Sequence, residues 1–197
     1  MAFEYAVALT GGIATGKSSA TMLLSLYGFR FIDADKIAHS MLDQHSDKIT
    51  KLFGIEYVVD EKVDRVKLGA LVFADPAKRK ALESLLHPLI YDEIVRQSEE
   101  QERFKKPYII DIPLFFEGNR YPIKKSVVIY ASKAKQLERL MKRDGYSEEE
   151  ALRRIESQMG IEEKRKCATY VIDNSGDLKQ LQRECDRVKD EIILAFS

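Results

Sequence analysis

The octapeptide GGIATGKS, residues 11–18, constrains this chain more than any other stretch. It fits the pattern G-x-x-x-x-G-K-[ST], directly after an apolar run ending at Thr10 and before a helical stretch, Ser18 to Tyr27, closed by Gly28. A glycine-rich turn in that position lets main-chain N–H groups wrap a polyphosphate without obstruction by side chains. The following helix adds the positive end of its dipole. The pattern places Lys17 against the β and γ phosphates and makes Ser18 a ligand of Mg2+.

Such a loop needs a buried parallel strand in front of it, and the rest of the chain supplies the partners. Runs rich in apolar and β-branched residues occur at Tyr5 to Thr10, Phe29 to Asp33, Tyr108 to Ile112, Ser126 to Tyr130 and Tyr170 to Asp173, separated by helical patterns. Runs apolar on both faces require helices above and below, so the expected fold is three-layer α/β with a five-stranded parallel sheet. Three runs end in or near a carboxylate, Asp33, Asp111 and Asp173, at the rim where ligands bind in open α/β sheets. Each is equally a turn former or helix cap.

Two helical insertions interrupt the strands. The first carries Asp35 before KIAHSML, and Asp75 with Pro76 as N-cap and first helical residue. His87-Pro88 divides its LESLLHPLIYDEI stretch into two helical patterns, with Pro88 opening the second. The second insertion shows a capping box of Ser147 and Glu150, an apolar face of Ala151, Leu152, Ile155 and Met159, and Gly160 as a stop. The last helix spaces Leu178, Leu181, Cys185, Val188 and Ile192 for packing on the sheet.

At 197 residues one domain is expected. The 32 basic and 32 acidic residues give no net field to hold nucleic acid or an anionic membrane, which favours small-molecule work. Two cysteines without C-x-x-C spacing fit neither a disulfide framework nor a zinc site. No stretch reaches membrane-spanning length, so a cytoplasmic setting is expected.

Nucleotide binding alone leaves several reactions open. A guanine-reading Asn-Lys-x-Asp segment is missing from VIDNSGD, which argues against a regulatory GTPase. Transfer to a small acceptor needs a base and mobile cations, and Asp33 in FIDADKIAH is the expected base, with Asp35 as the N-cap of the next helix. Arg139 and Arg143, four residues apart on one helix, suit a phosphate clamp or a solvated basic face, with Arg143 the stronger candidate beside its glycine turn. His87 is either a pocket wall or a hydrogen-bonded structural residue. Asp111 either assists Mg2+ or forms a strand-end turn. Arg153, Arg154, Lys164 and Arg165 carry no assignment.

With these residues assembled, the chain resembles bacterial dephospho-CoA kinases through ALTGGIATGKS, IDADKIAH, LLHPLI, PLFFE and VIDN, in that order and nearly end to end. The resemblance implies a P-loop kinase fold with strand order 2-3-1-4-5, an acceptor-binding insertion at about residues 36–104 and a lid at about 140–168. It implies phosphorylation of the 3′-hydroxyl of dephospho-CoA by ATP with Mg2+, the last step of coenzyme A synthesis. Gly12, Ala14, Thr15, Gly16, Lys17, Ser18 and Ser19 then hold ATP, with Asn174 bordering adenine. Asp33 lies beside the acceptor hydroxyl, His87 is on the acceptor side, and Arg143 belongs to the lid. Ala14 and Thr15 replace a more usual Gly-Ser, and Cys167 and Thr169 stand where basic and acidic residues are common.

Overall fold

A computed structural model describes residues 2–197 and contains the expected sheet. Strand β1 (Ala6–Gly11) is buried along its whole length because it pairs on both edges, parallel to β5 (Tyr108–Asp111) and to β6 (Lys125–Tyr130). β7 (Tyr170–Asp173) continues the sheet beyond β6, and β2 (Phe31–Asp33) lies beside β5. The order β2-β5-β1-β6-β7 is the expected 2-3-1-4-5 once the two strands of a small hairpin, β3 (Val58–Val59) and β4 (Lys62–Val63), are set aside.

The chain divides into two units. One comprises residues up to Ile32 together with Ser98–Ser197, and the other Asp33–Gln97. In the first, Val7, Leu9, Ile109, Val127, Ile129 and Ile172 share one face of the sheet with α1 (Lys17–Leu26) and α10 (Leu178–Ala195). Ala20 and Leu24 come from α1, and Leu181, Cys185, Val188 and Ile192 from α10, all essentially without solvent exposure. Ala8, Ile110 and Val128 are equally buried and, by the period-two alternation of strands, face the other way. Burial pushes the Cys185 thiol up to about 12, as suits a core filler. Leu178 departs from the expected stripe and is exposed, since it is the first residue after the N-cap Asp177.

The second unit packs α2 (Ala34–Gln44), α3 (Ser46–Phe53), a 3-10 turn (Ile55–Tyr57), the hairpin, α4 (Arg65–Ala74) and most of α5 (Pro76–Glu102) around Ile49, Phe53, Val63 and Leu68. The hairpin turn is Asp60-Glu61, both at positive φ, which a sequence reading keyed to Asn-Gly does not find. Asp75 caps α5 through the N–H groups of Ala77 and Lys78, as its position before Pro76 predicts.

Two expectations in this unit are corrected. Asp35 is not the N-cap of α2; Asp33 is, accepting the Lys36 N–H at 2.9 Å, and Asp35 sits in the first turn. Pro88 does not open a helix but lies inside α5, which runs unbroken from Pro76 to Glu102. Proline forfeits its own N–H bond and crowds the carbonyl of Ser84 one turn back, and the packing of Leu85 and Leu86 before it and Ile94 after it offsets that cost. The last turn of α5 returns to the first unit, where Glu102 accepts the Tyr5 N–H and the Tyr108 hydroxyl.

Candidate active site

The glycine loop joins Gly11, last residue of β1, to Lys17, first residue of α1. It is folded on itself by Thr15, whose N–H and hydroxyl both donate to the Gly12 carbonyl, at 3.3 and 2.9 Å. Its glycines are required by what surrounds them. A Cβ on Gly11 would stand 2.7 Å from the Thr15 hydroxyl, and one on Gly12 would stand 2.6 Å from Oε1 of the buried Gln136. Gly16 has φ +86°, and its Cβ would overlap the Asn174 amide. Ala14 also takes the left-handed conformation, at φ 57°, so its cost relative to glycine lies in the backbone, at about 1 kcal/mol, as well as in its methyl group.

Asn174 is buried and donates its side-chain N–H to the Thr15 carbonyl at 2.8 Å, while its own carbonyl accepts Nη2 of Arg139 at 2.8 Å. Nη1 of Arg139 is buried and makes no hydrogen bond among the described residues. The predicted nucleotide-side residue Asn174 is therefore a prop of the loop, with Arg139 behind it. Replacing Gly16 by Ala is expected to weaken ATP binding about tenfold and to lower the melting temperature. Both effects follow from strain at the left-handed position together with displacement of Asn174. Calorimetric titration with ATP and a thermal melt check this.

Lys17 reaches across from α1 to Asp111 at the end of β5, with Nζ at 2.5 and 2.7 Å from the two carboxylate oxygens. The pair is largely shielded, with side-chain exposures of 23% and 12%. A lysine on the loop and a carboxylate on the neighbouring strand end thus share one charge-assisted contact. Ser18 and Ser19 follow on the exposed side of the first turn of α1.

The other expected residues fall in different places. Asp33 caps α2 with one oxygen, and its second lies 3.4 Å from Nζ of Lys36. His87 is half-buried within α5. Arg143, in the last turn of α7 (Lys133–Asp144), is exposed and pairs through Nε and Nη2 with Asp144, both at 2.8 Å. That guanidinium holds the Asp144 carboxyl below its usual range. Of the two arginines on this helix, Arg139 is the one brought to the loop. Asp173 accepts the Ser175 N–H at 2.9 Å and serves as a turn former.

The sequence profile of the dephospho-CoA kinase family matches residues 5–180. This chain belongs to that family. Its relatives include the dephospho-CoA kinase of Sulfurimonas denitrificans, 59% identical over 192 residues, which span 98% of this chain and 96% of that protein. The Helicobacter pylori dephospho-CoA kinase (strain 26695) is 46% identical over 190 residues, spanning 95% and 97%. Among solved structures, the Campylobacter jejuni dephospho-CoA kinase superposes with a TM-score of 0.72 at 35% identity, covering 96% of this chain and 98% of that one.

Within this family member, residues that carried no assignment turn out to shape the site. Lys164, on α9 (Ile161–Cys167), has no solvent exposure and bonds to Gly11, Pro113 and Glu117. Gln136 is buried against Gly12 and donates to the Ala131 carbonyl. Thr169 exchanges hydrogen bonds with Ser126 and so ties the start of β7 to the start of β6. Nothing local in EEKRKC separates the buried Lys164 from its exposed neighbours Arg165 and Lys166.

Proposed function

We propose that this family member transfers the γ-phosphoryl group of ATP to the 3′-hydroxyl of dephospho-CoA, giving CoA and ADP. The observation that carries the reading is the Lys17–Asp111 pair at the glycine loop, in a chain whose family match covers the loop and both strand ends. The acceptor oxygen forms its bond to the γ-phosphorus as the bond to the β–γ bridging oxygen breaks, and the hydroxyl proton passes to Asp33. Lys17 carries positive charge to the phosphate oxygens, and the loop N–H groups hold the polyphosphate in line. Arg143 supplies a further cation from the second insertion, and His87 lines the acceptor side.

The residues at the loop fit Mg2+. This ion takes hard oxygen ligands and needs only one or two carboxylates, the rest coming from phosphates and water. Asp111 offers the carboxylate and Ser18 an exposed hydroxyl, and both would hold the ion. When bound it neutralises charge on the phosphates. Among the described residues no helix is long and apolar enough to cross a membrane. A cytoplasmic setting belongs to the same reading, supported by Cys167 and Cys185 as free thiols.

An ADP-release assay with dephospho-CoA, nucleoside monophosphates and shikimate as separate acceptors tests the reading. Turnover is expected with dephospho-CoA alone. Equal turnover with another acceptor, or slow hydrolysis indifferent to every acceptor, would remove it.

A further inference from the structure

An ammonium group taken out of water is costly unless every donor finds an acceptor. Lys164 has no solvent exposure, and its three N–H donors meet three acceptors: Oε1 of Glu117 at 2.8 Å, the Gly11 carbonyl at 3.0 Å and the Pro113 carbonyl at 3.3 Å. These belong to three different segments. Gly11 is where β1 becomes the loop, Pro113 follows two residues after Asp111, and Glu117 lies on the short helix α6 (Phe115–Gly118). The same Glu117 oxygen also accepts the N–H of Met159, in the turn between α8 (Glu148–Glu156) and α9. The Thr10 hydroxyl donates to the Pro113 carbonyl at 2.7 Å, so the end of β1 and the end of β5 are clamped together beside Lys164.

The peptide unit is planar and trans, so the Gly11 carbonyl and the Gly12 N–H point in opposite directions from one rigid plane. Lys164 holds the carbonyl side of that plane, and the β1–β6 ladder, in which Gly11 pairs with Ile129, holds its N–H side. We propose that Lys164 is a positioning residue for the nucleotide: through the Gly11 carbonyl it fixes the peptide from which the phosphate loop departs, and so the placing of the loop amides that follow. Through Glu117 it also locks the α8–α9 segment to the strand end that carries Asp111. This inference rests on the kinase reading only in taking ATP as the loop's ligand.

The test compares Lys164→Met, Glu117→Gln and the double variant. It uses calorimetric titration with ATP, KM and kcat for both substrates, and urea unfolding. Lys164→Met removes the charge at nearly constant length, and its ATP Kd is expected to rise about tenfold with the KM for dephospho-CoA changed less than about twofold. Glu117→Gln keeps volume and an oxygen acceptor, and should move the same constant in the same direction by a smaller factor. The double variant should bind ATP no worse than Lys164→Met, because both changes remove one anchor. Lower stability with an unchanged ATP Kd marks a purely structural lysine and overturns the proposal. Where Lys164→Met does not fold, Glu117→Gln decides alone, and parental ATP affinity in it is equally fatal. A parent that binds ATP but leaves dephospho-CoA unphosphorylated breaks the functional reading and not this one, since the calorimetric readout needs no acceptor.

Discussion

Lys17→Ala lowers kcat for dephospho-CoA phosphorylation by about 100- to 1,000-fold, the loss expected when one preorganised charge is taken from a transferring phosphoryl group. The ammonium is already aimed, bonded to both oxygens of Asp111 and shielded from water, so little reorganisation is needed when ATP replaces part of that contact. Removing it also takes a charge-assisted contact away from Asp111, which is only 9% exposed. Folded-state stability therefore drops together with turnover. Steady-state kinetics and thermal melts read both, and a kcat within threefold of the parent would falsify the role given to Lys17.

Asp33→Asn is the second large effect, with kcat lowered about 100- to 10,000-fold, the range for loss of a general base. The structure makes this substitution unusually clean. Asp33 caps α2 through the Lys36 N–H, and asparagine caps a helix about as well as aspartate, so the fold is kept while the basic oxygen is lost. ATP KM should stay within about twofold, because the change touches proton transfer and not the glycine loop. Asp33→Ala serves as the contrast: it loses the base and, in addition, about 1 kcal/mol of helix capping. Should Asp33→Asn turn over at the parental rate, the proton acceptor lies elsewhere.

Much of the site was legible because it is written locally. GGIATGKS, its flanking strand and its flanking helix depend on neighbours within a dozen residues, and backbone geometry of that kind leaves a mark in glycine placement. The burial of the five strands followed from apolar runs, and strand order followed from resemblance. The same local reasoning misjudged the start of α2, since Asp33 and Asp35 are both good caps and only the end of β2 decides between them. It also broke α5 at Pro88, where packing of a continuous helix offsets the lost hydrogen bond and the ring's clash with the preceding turn.

By itself the amino-acid sequence determined the phosphate loop, the parallel sheet beneath it, the capping residues Asp75 and Ser147, and membership of a kinase family. The loop, the sheet and the caps follow from interactions between residues close along the chain or from the period of apolar side chains, and the family from the resemblance of its five motifs. Tertiary structure alone decided that Lys17 rests on Asp111, that Asn174 and Arg139 brace the loop, and that one lysine in a run of charges is buried. Each of these joins segments tens to more than a hundred residues apart, as with Lys164 and Gly11. A buried charge is tolerable only where acceptors from several segments converge on it, and convergence is a property of the folded chain.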